Sequence, residues 1–156
     1  MVRYHNFDVV FAEIPDETTL AINITGCPNR CPGCHSPHLQ RDEGRPLDDA
    51  ELRALLGRYG ESVTCVCFMG GDASPHEIAR LARLVRQERT ALRTAWYSGR
   101  ADLPEGLDVA AFDYVKLGPW VERLGPLTAP TTNQRLYRLS DDGTLHDITE
   151  RFRRRT

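Results

Sequence analysis

The stretch TTLAINITGCPNRCPGC, residues 18–34, decides how the chain is read. In its first half Leu20, Ile22 and Ile24 alternate with Thr19, Asn23 and Thr25, the period-two pattern of a strand spanning Thr18 to Thr25. Its second half sets Cys27, Cys31 and Cys34 in a C-x3-C-x2-C array. Two prolines and Gly33 exclude a regular helix or strand there, so the loop is expected to turn three thiols towards one centre. Three sulfurs suit an iron–sulfur cluster and leave one iron without a protein ligand. Such an open position is what separates catalytic from closed metal sites. A structural zinc ion with His35 as fourth ligand is the competing chemistry. Zinc ligands usually come as two pairs across a longer loop, and the adjacent Cys34 and His35 could hardly both reach one tetrahedral ion.

Outward from this stretch, the residues before it read as a strand from Phe7 to Ile14, turned by Pro15-Asp16-Glu17. After it, a polar loop leads to a helix from Asp48 to Tyr59, with Leu52, Leu55, Leu56 and Tyr59 on one face. Asp48 and Glu51 are spaced as a capping pair, and Gly57 and Gly60 mark the helix end. Ser62 to Met69 is a nearly continuous apolar run, as expected of a strand buried on both faces, and Gly70-Gly71-Asp72 stops it. Ser74-Pro75 opens a second helix that would bury Ile78, Leu81, Ala82 and Val85. Leu92 to Tyr97 and Phe112 to Leu117 read as strands closed by Ser98-Gly99 and Gly118-Pro119. Arg135 to Leu139 and Leu145 to Ile148 are shorter strands around Asp141-Asp142-Gly143. Strands alternating with helices predict one α/β domain over residues 1–156 with a mainly parallel sheet. At 156 residues it is short of the roughly 250 of a complete (β/α) barrel, so an open partial barrel is expected.

Composition narrows the function classes. A net charge of -2 gives no global attraction to nucleic acid or to a membrane surface. No apolar run approaches the roughly 20 residues of a membrane helix, and Asn6, Asp8 and Glu13 interrupt any signal-peptide core. A cytoplasmic protein is expected. Five cysteines, three of them in one loop, read as metal binding rather than a disulfide framework. Cys65 and Cys67, two apart in an apolar strand, read as small buried hydrophobes. His5, His76 and His146 read as surface groups, His38 lies close to the cysteine loop, and the basic tail RFRRRT reads as a solvated end.

The phrase GCPNRCPGCHSPHL, residues 26–39, resembles the cluster loop of the radical S-adenosylmethionine (SAM) enzymes. It is most similar to the activating proteins of anaerobic ribonucleotide reductase. Gly33 stands where many of that superfamily carry an aromatic residue, and His35 follows the last cysteine. Gly70-Gly71-Asp72 resembles the Gly-Gly-Glu turn that holds the amino group of the SAM methionine. Tyr97, Ser98 and Lys116 are similar to positions that line adenosine and ribose. Thr131-Thr132-Asn133-Gln134-Arg135 resembles a Ser/Thr-Asn-Gln-Arg stretch, which gives Asn133 a cofactor or docking role.

The resemblance implies a [4Fe–4S] cluster on Cys27, Cys31 and Cys34, with SAM on its open iron. It further implies reductive cleavage of SAM, a glycyl radical raised on the partner reductase, and a small electron donor such as a flavodoxin. The cluster and SAM carry the chemistry, and no side chain is expected to be catalytic. The plain alternatives are a strand-to-helix turn at Gly70–Asp72, a strand-end turn at Tyr97-Ser98, a surface Lys116 and a local turn around Asn133. Two other functions fit the same loop. One is another radical SAM enzyme or glycyl-radical activase. The other is a non-catalytic iron–sulfur or zinc protein, to which a change at Asp72 would be indifferent.

Overall fold

The computed structural model describes residues 2–25 and 44–155. Strand β1 (Arg3–Val10) turns back into β2 (Thr19–Ile24), and the two pair antiparallel. A two-residue strand β3 (Arg45–Pro46) adds to the far side of β1. Helix α1 (Asp49–Tyr59), β4 (Cys65–Met69), helix α2 (Pro75–Glu88) and β5 (Arg93–Tyr97) follow. Strands β6 (Tyr114–Leu117), β7 (Arg135–Leu139) and β8 (Leu145–Asp147) complete one eight-stranded sheet in the order β3-β1-β2-β4-β5-β6-β7-β8.

The local signals explain the two helices. Asp48 caps α1, its Oδ1 accepting from the Glu51 N–H at 2.9 Å. The expected reciprocal half of that box does not form, because Glu51 instead accepts from Tyr4 Oη at 2.9 Å and pairs with Arg45. Pro75 occupies the first position of α2, where a missing N–H costs nothing. The Ser74 side chain makes no capping bond. Gly60 does end α1, whereas Gly57 lies inside it.

The expectation of a mainly parallel, open partial (β/α) barrel is corrected by this topology. The sheet is mixed. Only the pairs β2–β4, β4–β5 and β5–β6 are parallel; β1–β2, β1–β3, β6–β7 and β7–β8 are antiparallel. Among the described residues there are two α-helices, too few to ring a barrel. The physical reason lies in the connections. A parallel neighbour needs a crossover, usually helical, and only α1 and α2 are available. β5 and β6 remain parallel across a segment that holds only a 3-10 turn, while β6, β7 and β8, joined without any α-helix, fold back antiparallel.

The first strand is also displaced from its predicted span, ending at Val10 rather than Ile14. Ile14 is fully buried, but it reaches the interior from the turn, so its apolar character extended the strand reading too far.

Side chains on the sheet divide between two interiors. Leu20, Ile22, Phe68, Trp96 and Val115 pack on one face beneath α1 and α2. Cys65, Cys67, Ala95, Tyr114 and Leu136 pack on the other, covered by Ile14, Leu127 and Phe152 from non-strand segments. Burial of both faces is why β4 reads as a continuous apolar run. No helix among the described residues is long and apolar enough to cross a membrane.

Candidate functional site

Because β2, β4, β5 and β6 run parallel, their C-terminal ends share one edge of the sheet. Cys27, Cys31 and Cys34, with His35 and His38, lie outside the described residues; their loop follows the end of β2. The double-glycine turn after β4 lies beside that strand end. A Cβ on Gly70 would come within 3.3 Å of the Ile24 carbonyl oxygen, and one on Gly71 within 2.6 Å of Ile78 in α2. Both glycines have positive φ, 104° and 91°, which a side chain would disfavour.

The turn is tied on two sides. The Gly70 N–H donates to the Tyr97 carbonyl at 2.9 Å, and the Gly70 carbonyl accepts from Trp96 Nε1 at 2.7 Å. The carboxylate of Asp72, 1% exposed, accepts from Ser98 Oγ at 2.6 Å and from the Gly99 N–H at 2.8 Å. Arg100 Nη2 donates back to the Asp72 carbonyl. The Gly71 N–H has no acceptor among the described residues.

Lys116 lies one strand further on. It is 8% exposed and no surface lysine. Its Nζ donates to the carbonyls of Ser98 at 3.0 Å and Gly118 at 2.9 Å, and sits 5.7 Å from the centre of the Tyr97 ring. Burial, reinforced by the nearby Cys67, pushes the Tyr97 hydroxyl well above its ordinary pKa, and that hydroxyl donates to the Glu13 carbonyl. Gly70, Gly71, Asp72, Tyr97, Ser98 and Lys116 are therefore brought to one edge. Asn133 is held beside Gly118, its Nδ2 donating to the Pro119 carbonyl at 3.1 Å and its Oδ1 buried without a described partner.

A cavity of about 380 Å³ opens next to this edge, on the face away from the helices. Met69, Tyr97, Leu127 and Phe152 give it an apolar lining, with Glu13, Lys116 and Gln134 as polar groups. That volume and mixture suit a small-molecule site. Glu13, Met69 and Trp96 were not singled out by their sequence pattern, and Gln134 enters it only within the stretch 131–135. Period-two alternation places Met69 on the Cys65–Cys67 face, the one signal that could have found it. Glu13 and Gln134 come from irregular segments, and Trp96 reads only as a buried strand residue.

Cys65 and Cys67 are fully buried. Desolvation raises both thiols well above their ordinary pKa, so they stay protonated, as core residues do. No group of three or more metal-binding side chains occurs among the described residues.

Residues 18–101 match the model of a family described as a 4Fe-4S single cluster domain, a span of more than half the chain that runs from the start of β2 past the end of β5. No curated protein and no solved structure matches the chain.

Proposed function

Because the chain belongs to the 4Fe-4S single cluster domain family, we propose that it is a radical SAM activase that raises a glycyl radical on an anaerobic ribonucleotide reductase. One observation carries the reading. The double-glycine turn sits against Ile24, at the strand end from which the three-cysteine loop departs. A family of cluster domains accounts for the cysteines. It does not by itself require a double-glycine turn, held at both Gly70 polar groups, beside the end of β2.

The residues fit the groups implied. Cys27, Cys31 and Cys34 supply three thiolates for a four-iron cluster and leave one iron open. The turn offers the Gly71 N–H as a donor, and the Gly70 and Gly71 carbonyls, each already accepting one bond, keep a second lone pair for an amino group. When bound, the cluster and SAM supply one-electron cleavage of a carbon–sulfur bond and a radical able to remove hydrogen from glycine. The protein's own task is to bind, orient and exclude water. The apolar wall of Met69, Leu127 and Phe152 lowers the local dielectric, and the cavity opens to the surface, as a protein substrate requires.

The test is anaerobic reconstitution with iron and sulfide, reduction, and assay of 5′-deoxyadenosine from SAM beside Cys31→Ala. We expect product from the wild type alone, and a glycyl radical signal when a candidate reductase is added. A reconstituted cluster that never cleaves SAM would make the chain an iron–sulfur carrier instead.

A further inference from the structure

We propose that Trp96 and Asp72 are positioning residues that tie the double-glycine turn to β5 and its C-terminal extension at two points and set the direction of the Gly71 N–H. The inference rests on the SAM reading above, adds Trp96 to it and gives Asp72 an indirect role, both acting on the cofactor only through the turn. Glycine pairs at positive φ have many alternative conformations, so a turn built on Gly70 and Gly71 needs outside restraint to hold one. The restraint from the helix face is the Trp96 indole, fully buried and stacked on Phe112 at 5.8 Å, whose N–H is bonded to the Gly70 carbonyl. The second restraint is the Asp72 carboxylate, bonded just beyond the end of β5 to Ser98 Oγ and the Gly99 N–H, with Arg100 closing the loop on the Asp72 carbonyl. Ser98 is itself fixed, since its N–H donates to the Lys116 carbonyl and its own carbonyl accepts from Lys116 Nζ.

The consequence is a division of labour within three residues. Both polar groups of Gly70 are bonded inward and the Asp72 carboxylate faces the β5 loop, which leaves the Gly71 amide as a donor with no acceptor among the described residues. Asp72 thus acts through Ser98 and Gly99.

Two variants separate this from simple packing. Trp96→Phe keeps an aromatic ring over Phe112 but removes the N–H; Asp72→Asn keeps the shape but places an amide nitrogen against a donor. Amide hydrogen exchange of Gly70 and Gly71 is measured first, without SAM. Faster exchange confined to the turn in both variants, with an unchanged global unfolding midpoint in Trp96→Phe, is the expected result. Iron and sulfide content should match the wild type. The KM for SAM should rise about two- to tenfold in Trp96→Phe, the scale of one neutral hydrogen bond, with kcat unchanged. Unchanged exchange at Gly70 would overturn the grip. Faster exchange with an unchanged KM would overturn its role in positioning. A wild type that fails to turn over SAM would remove the functional reading, while the grip would still stand or fall on the exchange data.

Discussion

Gly71 shows how one residue joins the fold to the site. Its φ of 91° lies where side chains are disfavoured, and a Cβ there would press within 2.6 Å and 2.7 Å of two Ile78 carbons. Gly71→Ala should therefore lose about 1–3 kcal/mol of stability from backbone strain alone, read as a lower urea midpoint. Gly57 makes the control. It lies inside α1 with open space around its Cα, so Gly57→Ala should be neutral or stabilising by up to about 1 kcal/mol. The sequence shows both as glycine in or near a helical pattern; only the backbone angle and the neighbours tell them apart. The same holds for Asp72. Its place after a strand made it a site candidate, but its bonding to Ser98 joins residues 26 apart, which no local pattern reveals.

Among the elements, the edge opposite the site is closed by Glu17, just before β2. It is 8% exposed, accepting from Tyr114 Oη at 2.7 Å and Thr64 Oγ1 at 2.7 Å and pairing with Arg93 at 3.1 Å. One carboxylate thereby links the starts of β2, β4, β5 and β6. Glu17→Ala leaves the buried Tyr114 hydroxyl without its acceptor and the exposed Arg93 without its ion pair, and should cost about 1–3 kcal/mol in chemical denaturation. The cluster content after reconstitution should be preserved, because Glu17 lies at the far end of the strands. At this scale, capping and proline signals placed α1 and α2 well, since those interactions span three or four residues. Strand direction was not legible. It depends on how each connection crosses the sheet: β5 and β6 stay parallel with only a 3-10 turn between them while β6 and β7 reverse, and both connecting segments carry polar and proline-rich sequence with no periodicity to decide it.

For the whole molecule, two fully buried thiols make stability sensitive to alkali. In the unfolded chain Cys65 and Cys67 ionise near their ordinary pKa of about 8.5. Burial raises both in the native state, so the folded protein keeps protons that the unfolded chain loses. Stability is thus full below about pH 8 and falls as pH rises beyond it. The urea midpoint should decline between pH 8 and pH 10, and a Cys65→Ala/Cys67→Ala double variant should decline less steeply, whatever its starting stability. A slope identical in both would mean the thiols ionise in the native protein. The two-faced burial behind this effect was visible in the apolar run of β4; the mixed sheet around it was not. Local hydrophobicity reports that a strand is covered, while its partners are set by chain connections far away.

The sheet also ends abruptly at both margins. The outermost strands, β3 and β8, are two and three residues long, and β3 contains Pro46, which has no N–H to offer. His146 and Asp147 on β8 are exposed and polar. An eight-stranded sheet with long bare margins would template pairing with further copies of itself; where β3 and β8 form the margin, strands this short and polar offer little ladder to extend. At the high concentrations used for reconstitution, β3 and β8 give edge-to-edge growth little purchase at the positions they cover.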